Sequence, residues 1–301
     1  MSAQSTIKTA LRWTVPAGVY ELILAEWRKL ASSGIFDPEL RRTLAANRIF
    51  HNAHQGERCF ILGTGASIKD QDLRPLQHET CIVLNGFYLH KDYTTIKPRY
   101  HVINASPGDP TIGHELGLQW FREMEERITS NVLFLCYPAR RFVREQGFFR
   151  NRRVHYLKTG DNQRGFLRHG IDATRPLTPM HGGGPKTLQL ALYMGFREIY
   201  LLGLDYDYFI RLAPQVPEHF YEPAESVFGR AGLMHWDYLF LKNRQMEVWK
   251  DHEILRRFAE ARGVKIRNAT AGGYLETFER VDYPSLFTVP RHENSRHHSG
   301  S

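Results

Sequence analysis

The chain has 301 residues, 42% hydrophobic and 12% aromatic, which suits one large well-packed domain, or one domain with extensions. Forty Lys and Arg against 32 Asp and Glu leave a net charge of +8, favouring acidic partners such as a nucleotide, an anionic glycan, nucleic acid or a lipid surface. The cysteines Cys59, Cys81 and Cys136 lie in apolar runs without metal-ligand spacing, so a disulfide framework is not expected and a reducing compartment is. No run approaches the roughly 18–20 apolar residues of a membrane span, and the beginning of the sequence does not read as a signal peptide. The expected location is the cytoplasm.

In chain order, residues 1–55 read as a helical extension. Val19, Leu22, Ile23, Trp27 and Leu30 recur at helical spacing and predict an amphipathic helix over residues 16–32. Such a helix packs on the main domain or, with Arg28 and Lys29 beside its stripe, makes peripheral contact with the inner membrane. Asp37-Pro38-Glu39 opens a second helix, with Asp37 as N-cap and Pro38 first inside it. The main domain spans residues 56–288. Short apolar runs at 59–62, 81–84, 100–103, 131–136, 199–202 and 264–266 read as buried strands, and residues 185–194 and 245–262 as helices closed by Gly195 and Gly263. Unbroken apolar strands alternating with helices predict an α/β, Rossmann-like, mostly parallel sheet with helices on both faces. Residues 289–301 read as a disordered tail.

The chemistry is expected at the carboxyl ends of those strands, which share one edge of a parallel sheet. Gly63-Thr64-Gly65-Ala66-Ser67 follows the first strand directly. Its glycines would permit positive φ and close approach of a ligand, and Ser67 would cap a short helix with N–H groups aimed at an anion. Asn85-Gly86 and Gly203-Leu204-Asp205 end two further strands, and His181-Gly182-Gly183-Gly184 precedes a helix as an anion-binding turn. Asn85 and Asn104 either hydrogen-bond a base or ribose, or serve as turn residues in left-handed geometry, the reading preferred for Asn104.

Taken together, Phe60-Ile61-Leu62-Gly63-Thr64-Gly65-Ala66-Ser67-Ile68 and Val83-Leu84-Asn85-Gly86-Phe87-Tyr88 resemble the paired motifs of bacterial lipooligosaccharide sialyltransferases. They are similar also to the related domains of motility-associated flagellin glycosyltransferases and of archaeal hydroxymethylpterin pyrophosphokinase. Gly195-Phe196-Arg197-Glu198-Ile199-Tyr200-Leu201-Leu202-Gly203-Leu204-Asp205, His219-Phe220-Tyr221 and Val264-Lys265-Ile266-Arg267-Asn268-Ala269-Thr270 extend the resemblance over residues 56–285. It implies a transferase whose CMP-linked, sialic-acid-like sugar donor lies across Gly63, Thr64, Gly65, Ser67, Asn85, Gly182, Gly183, Gly184 and Asp205. It implies further that no metal is needed, that tyrosine hydroxyls in the neighbourhood of Tyr206 and Tyr208 assist the departing phosphate, and that a histidine takes the acceptor's proton. Two departures concern the donor: Thr64 stands where the family has asparagine, and His181 with glycines replaces its small hydroxyl residues.

For the general base the order of expectation is His219, His235, then His252, the last read as solvated on the polar side of its helix. The basic segment from Arg140 to Arg168, dotted with Phe142, Phe148, Phe149 and Tyr156, reads either as a solvated lid or as a cover that recruits an anionic acceptor. It lacks any nucleic-acid-binding motif. The expected partners are therefore a nucleotide-sugar donor and a glycan, lipid-linked glycan or protein acceptor. Two alternatives stand beside this. One is a pyrophosphokinase with Mg²⁺ on Asp205 and Asp207, or on Asp70 and Asp72; the other is a non-catalytic nucleotide- or glycan-binding module.

Overall fold

In the computed structural model, which describes residues 16, 19–20, 37–104, 113–160, 170–207, 219–230 and 238–288, the apolar runs pair into one parallel sheet. Its eight strands are β1 (Arg58–Leu62), β2 (Cys81–Leu84), β3 (Tyr100–Ile103), β4 (Val132–Cys136), β5 (Arg153–Leu157), β6 (Glu198–Leu202), β7 (Lys265–Asn268) and β8 (Glu279–Arg280). They lie in the order β5-β4-β3-β2-β1-β6-β7-β8. The main helices are α1 (Pro38–Ala45), α2 (His114–Arg127), α3 (Ala139–Gln146), α4 (Gly183–Met194) and α5 (Tyr238–Glu260). The α/β class read from the sequence is the class observed.

The strands are apolar on both faces because both faces are covered. Cys59, Ile61, Ile82, Leu84 and Val102 pack with Leu188 and Ala191 of α4 and Val248 and Leu255 of α5. Phe60, Leu62, Cys81, Val83 and Leu133 pack with Trp120, Phe121 and Met124 of α2. Each such large side chain contributes about 1.5–3 kcal/mol by leaving water, so neither face tolerates the polar residue of a period-two strand.

Two strands were not legible from pattern. β5 carries Arg153 and His155 and sits half-exposed at one edge, and β8 is only Glu279 and Arg280 at the other. The edge at β5 is closed by the segment ahead of the main domain. Asp37 caps α1 by accepting from Leu40 N–H at 2.9 Å, with Pro38 first in the helix, as expected. Asn47 Nδ2 then donates to Tyr156 O and Ala173 O, both at 2.9 Å, and Phe50 enters the core. The helix expected over residues 16–32 falls outside the described residues apart from Pro16, Val19 and Tyr20, and so does the tail from residue 289. No helix among the described residues is long and apolar enough to cross a membrane.

The basic segment is corrected. Its described part is not a loose cover: residues 139–146 form α3 and residues 153–157 form β5. Phe148 and Phe149 are buried, Arg140 pairs with Glu39, Arg141 with Glu145 at 2.7 Å, and Arg152 donates to the Ser130 and Glu125 carbonyls. Arg164 and Arg168 lie outside the described residues.

Candidate functional site

β1 and β6 are neighbours, yet the chain leaves β1 toward β5 and leaves β6 toward β8. The two connections turn away from each other, which opens a crevice at the carboxyl ends of β1 and β6. The Gly63-Thr64-Gly65 loop stands there, but its glycines serve a different purpose from the one expected. Gly65 has φ of −61° and Gly63 is not among the glycines with positive φ. A Cβ on Gly63 would lie 2.3 Å from the Gly203 carbonyl oxygen, and one on Gly65 would lie 2.5 Å from the Asp205 carboxyl carbon. The bare backbone accommodates the β6 loop. Asp205 then takes the place expected for a ligand anion, accepting from Ser67 N–H at 2.9 Å and from the Ser67 hydroxyl at 2.5 Å. Ser67 is no cap: the short helix turn Ala66–Asp70 begins from Gly65 without a side-chain capping bond.

The second glycine turn at this edge is the head of α4. Gly182 holds φ of +81°, a conformation that L side chains rarely adopt, and the helix begins at Gly183, two residues before Pro185. Gly183 lies against the ends of β2 and β3: its Cβ would be 2.8 Å from Leu84 Cδ2 and 2.9 Å from Asn104 Nδ2. Gly184 faces Tyr206, whose hydroxyl would be 2.0 Å from a Cβ there. Asp205 and Tyr206 thus reach in opposite directions, one tying down the β1 loop and the other touching the helix head. Asn85, not Asn104, is the left-handed asparagine, at φ of +43°. Its Oδ1 accepts from Asn104 N–H at 2.9 Å, and its carbonyl accepts from His101 Nε2 at 2.7 Å.

On the first turn of α4, Lys186 is half-buried and makes no ion pair among the described residues. Burial lowers its ammonium pKa, as does Arg244 nearby, while Asp251 acts against them. A cation at the positive end of a helix is held against the dipole. One turn earlier, His181 donates its backbone N–H to Asp251 Oδ2 at 2.5 Å, and its Nδ1 lies 3.0 Å from the same oxygen. Burial pushes the Asp251 carboxyl up, and the His181 hydrogen bonds pull it back.

His219 sits across the crevice. Its Nδ1 is 3.1 Å from Thr64 Oγ1 and 3.2 Å from Thr64 O, and the ring stacks on Tyr221 at 4.9 Å. Phe220 N–H donates to Thr64 O, and its ring packs on Phe87 and His90. The His-Phe-Tyr segment therefore seats on the loops after β1 and β2. Thr64 stays in the site as the rest for His219. His235 and Tyr208 lie outside the described residues. His252 is corrected: it is fully buried, packed between Tyr206 and Phe278, with Nδ1 donating to Val248 O at 2.8 Å. Of the four carboxylates suggested for a metal, Asp205 is hydrogen-bonded to Ser67 and Asp72 to Arg74.

Sequence reasoning brought Thr64, His219, Asp205, Tyr206 and the glycine run to one edge. It missed the pairing of His181 with Asp251, which are far apart in the chain, and it passed over Lys186. The signal for Lys186 was present: a lysine one residue after a Gly-Gly-Gly-Pro helix start opposes the dipole.

Two buried imidazoles give the first testable consequence. Burial pushes both His101 and His252 down to about 4, from an ordinary value near 6.5. The folded pKa lies below the unfolded one, so the unfolded chain binds more protons between those values. Stability is expected to fall as pH drops from about 6.5 toward 4, by on the order of 3 kcal/mol per histidine. Urea unfolding at pH 7 and pH 4.5 measures it. His252→Asn should show the smaller pH dependence; equal slopes for the variant and the parent protein would overturn the assignment.

No family model and no curated protein matches the sequence. Among solved structures, the sialyltransferase CstII from Campylobacter jejuni, in complex with cytidine-5'-monophosphate, is similar over 75% of this chain and 85% of its own, at 16% identity and a TM-score of 0.45. The MAf glycosyltransferase from Magnetospirillum magneticum AMB-1 is similar over 82% of this chain and 38% of its own, at 18% identity and a TM-score of 0.44. An apo α-2,3-sialyltransferase from Campylobacter jejuni follows at 11% identity, 75% and 83% coverage and a TM-score of 0.37. The likeness is one of chain course. Chemistry does not follow from it.

Proposed function

We propose that the protein is a glycosyltransferase that moves a sugar from a nucleotide-activated, CMP-linked and sialic-acid-like donor to a bacterial surface glycan, lipid-linked glycan or glycoprotein. The motif resemblance supplies the reaction class, and Lys186 is the observation that carries it to this site. Its half-buried ammonium makes no ion pair among the described residues and stands at the positive end of α4. The helix head is short of a negative charge, and a nucleoside monophosphate ester supplies one. On this reading the donor phosphate rests on the N–H groups of Gly183 and Gly184 beside Lys186 and the Tyr206 hydroxyl, with Asn85 and Asn104 toward the nucleoside. The acceptor enters on the His219 side.

No metal has a part in this reading, because one phosphate charge is met by Lys186 and the helix. Thermal shift with cytidine nucleotides, with and without Mg²⁺, tests it. Saturating CMP at about 100 times its Kd should add about 2.7 kcal/mol and raise the melting temperature by several degrees. The shift, and transfer from a CMP-sugar, should survive EDTA. Stabilisation by a nucleoside triphosphate that requires Mg²⁺ would move the assignment to phosphoryl transfer. Tight CMP binding with no turnover on any glycan would make the chain a binding module.

A further inference from the structure

His181 and Asp251 form a unit that neither the motif resemblance nor the expected site includes. Two donors from one residue, the His181 backbone N–H and Nδ1–H, converge on a single oxygen of Asp251 at 2.5 and 3.0 Å. The Asp251 side chain is 3% exposed and that of His181 is 33% exposed. Burying a carboxylate costs several kcal/mol unless it is met by donors. Here the same contact that meets it fixes the imidazole tautomer and orientation. With Nδ1–H committed to Asp251, Nε2 is the ring nitrogen left for other partners. It belongs to the residue immediately before Gly182-Gly183-Gly184.

Two further observations concern the head of α4 and the stripe of α5 that carries Asp251. Lys186 makes no ion pair among the described residues. Gln245, on α5, is 3% exposed, and neither its Nε2 nor its Oε1 has a hydrogen-bond partner among the described residues. Leaving one such buried group unmet costs about 1–3 kcal/mol. Gln245 shares the buried stripe of α5 with Val248 and Asp251, and Val248 Cγ2 lies 3.9 Å from where a Cβ on Gly182 would be. The charged and titratable groups facing His181 are Asp251 and Glu247 from α5, with Arg244 and, on α4, Lys186 nearby. Glu247 is paired with Lys250 at 2.9 Å, and the Cys136 thiol near Lys186 is pushed up by burial. With Asp251 committed to His181, what remains around the helix head is cationic.

We infer that His181, positioned by Asp251, is the proton donor to the phosphate of the bound nucleotide. This rests on the transferase reading. As the bond from the anomeric carbon to the phosphate oxygen breaks, its electron pair stays on that oxygen, and Nε2–H of the His181 imidazolium passes its proton there. The acceptor hydroxyl oxygen bonds to the anomeric carbon, and its proton goes to His219. Asp251 stabilises the imidazolium before transfer and holds the ring throughout. A proton donor must carry its proton while the phosphate is bound. Binding the nucleotide should therefore draw a proton onto His181.

Calorimetry on the full chain measures that proton. CMP, and separately inorganic phosphate, is titrated at pH 7.5 in two buffers of different ionisation enthalpy. The wild-type protein should take up a measurable fraction of a proton with each probe. His181→Asn keeps a side-chain N–H for Asp251 and has no Nε2; it should lose most of that uptake, weaken CMP binding about tenfold and lower kcat about 10²- to 10⁴-fold. Asp251→Asn should reduce the uptake, and His219→Ala should leave it in place. His181→Ala is the second variant, with circular dichroism checking that each is folded. Uptake and kcat unchanged in a folded His181→Asn protein overturn the inference and leave the transferase reading standing. Phosphate binding with His181-dependent uptake, but no CMP binding, keeps the protonated anion site and removes the transferase. If neither probe binds the wild-type protein, both fall.

Discussion

His219→Ala is expected to lose about 10²- to 10⁴-fold in turnover, about 2.7 to 5.5 kcal/mol of barrier, while still binding CMP within a few-fold of the wild-type protein. The expectation comes from its tautomer. Thr64 O, 3.2 Å from Nδ1, can only accept, so in the neutral ring Nδ1 carries the hydrogen and Nε2 is the basic nitrogen. Stacking on Tyr221 with planes 12° apart holds the ring in that attitude. A base needs this: a ring held in fixed orientation beside a crevice, within reach of an acceptor's proton. Thr64→Val removes only the hydroxyl contact and should cost far less. Steady-state kinetics on a CMP-sugar, paired with nucleotide calorimetry, separates the two quantities. Undiminished kcat in His219→Ala would place the base elsewhere, with His235 next in order. Weakened CMP binding with unchanged kcat would make His219 a donor contact instead.

Gly63→Ala should destabilise the fold by about 1–3 kcal/mol or more, a large effect for one methyl group. The new Cβ would meet the Gly203 carbonyl oxygen at 2.3 Å and Leu204 Cδ2 at 2.6 Å. The first of these is backbone, tied by Gly65 N–H donating to Gly203 O at 2.8 Å, so relief requires parting β1 from β6. Gly65→Ala meets the Asp205 side chain, which can rotate away once its bonds to Ser67 are given up. It should therefore be the milder change in stability, and combining it with Asp205→Ala should recover part of the loss. Chemical denaturation of the single and double variants decides this. Equal stability of Gly63→Ala and the parent protein would show that the two loops are not in contact.

Those glycines illustrate how far the residue pattern reaches. The run from Phe60 to Ser67 correctly marks a strand followed by a tight turn at the carboxyl edge of the sheet. Whether its bare backbone admits a ligand or a neighbouring loop depends on what β6 places opposite, and Asp205 is 138 residues away from Ser67 along the chain. The same division holds for the histidines. Sequence order placed His219 after the β6 strand, in a loop near the crevice. His252 looked solvated because its helix was read by polarity, whereas Tyr206 and Phe278 from distant segments enclose it.

Residue pattern alone was enough for the α/β class, six of the eight strands among the described residues, the capping of α1 by Asp37 and the closing glycines Gly195 and Gly263. These depend on local signals: apolar runs buried on both faces, a carboxylate before Pro38, and residues free to turn left-handed. Only the tertiary structure decided that β5 and β8 join the sheet, because edge strands half in water keep polar residues and lose the apolar signature. It alone separated the two glycine turns read as anion sites, the β1 loop and the head of α4, since that depends on which charges are already met. Asp205 meets Ser67, Asp251 meets His181, and Lys186 meets none among the described residues. Charge pairing at this crevice joins residues from β1, β6, α4 and α5, and no spacing along one strand or helix records it.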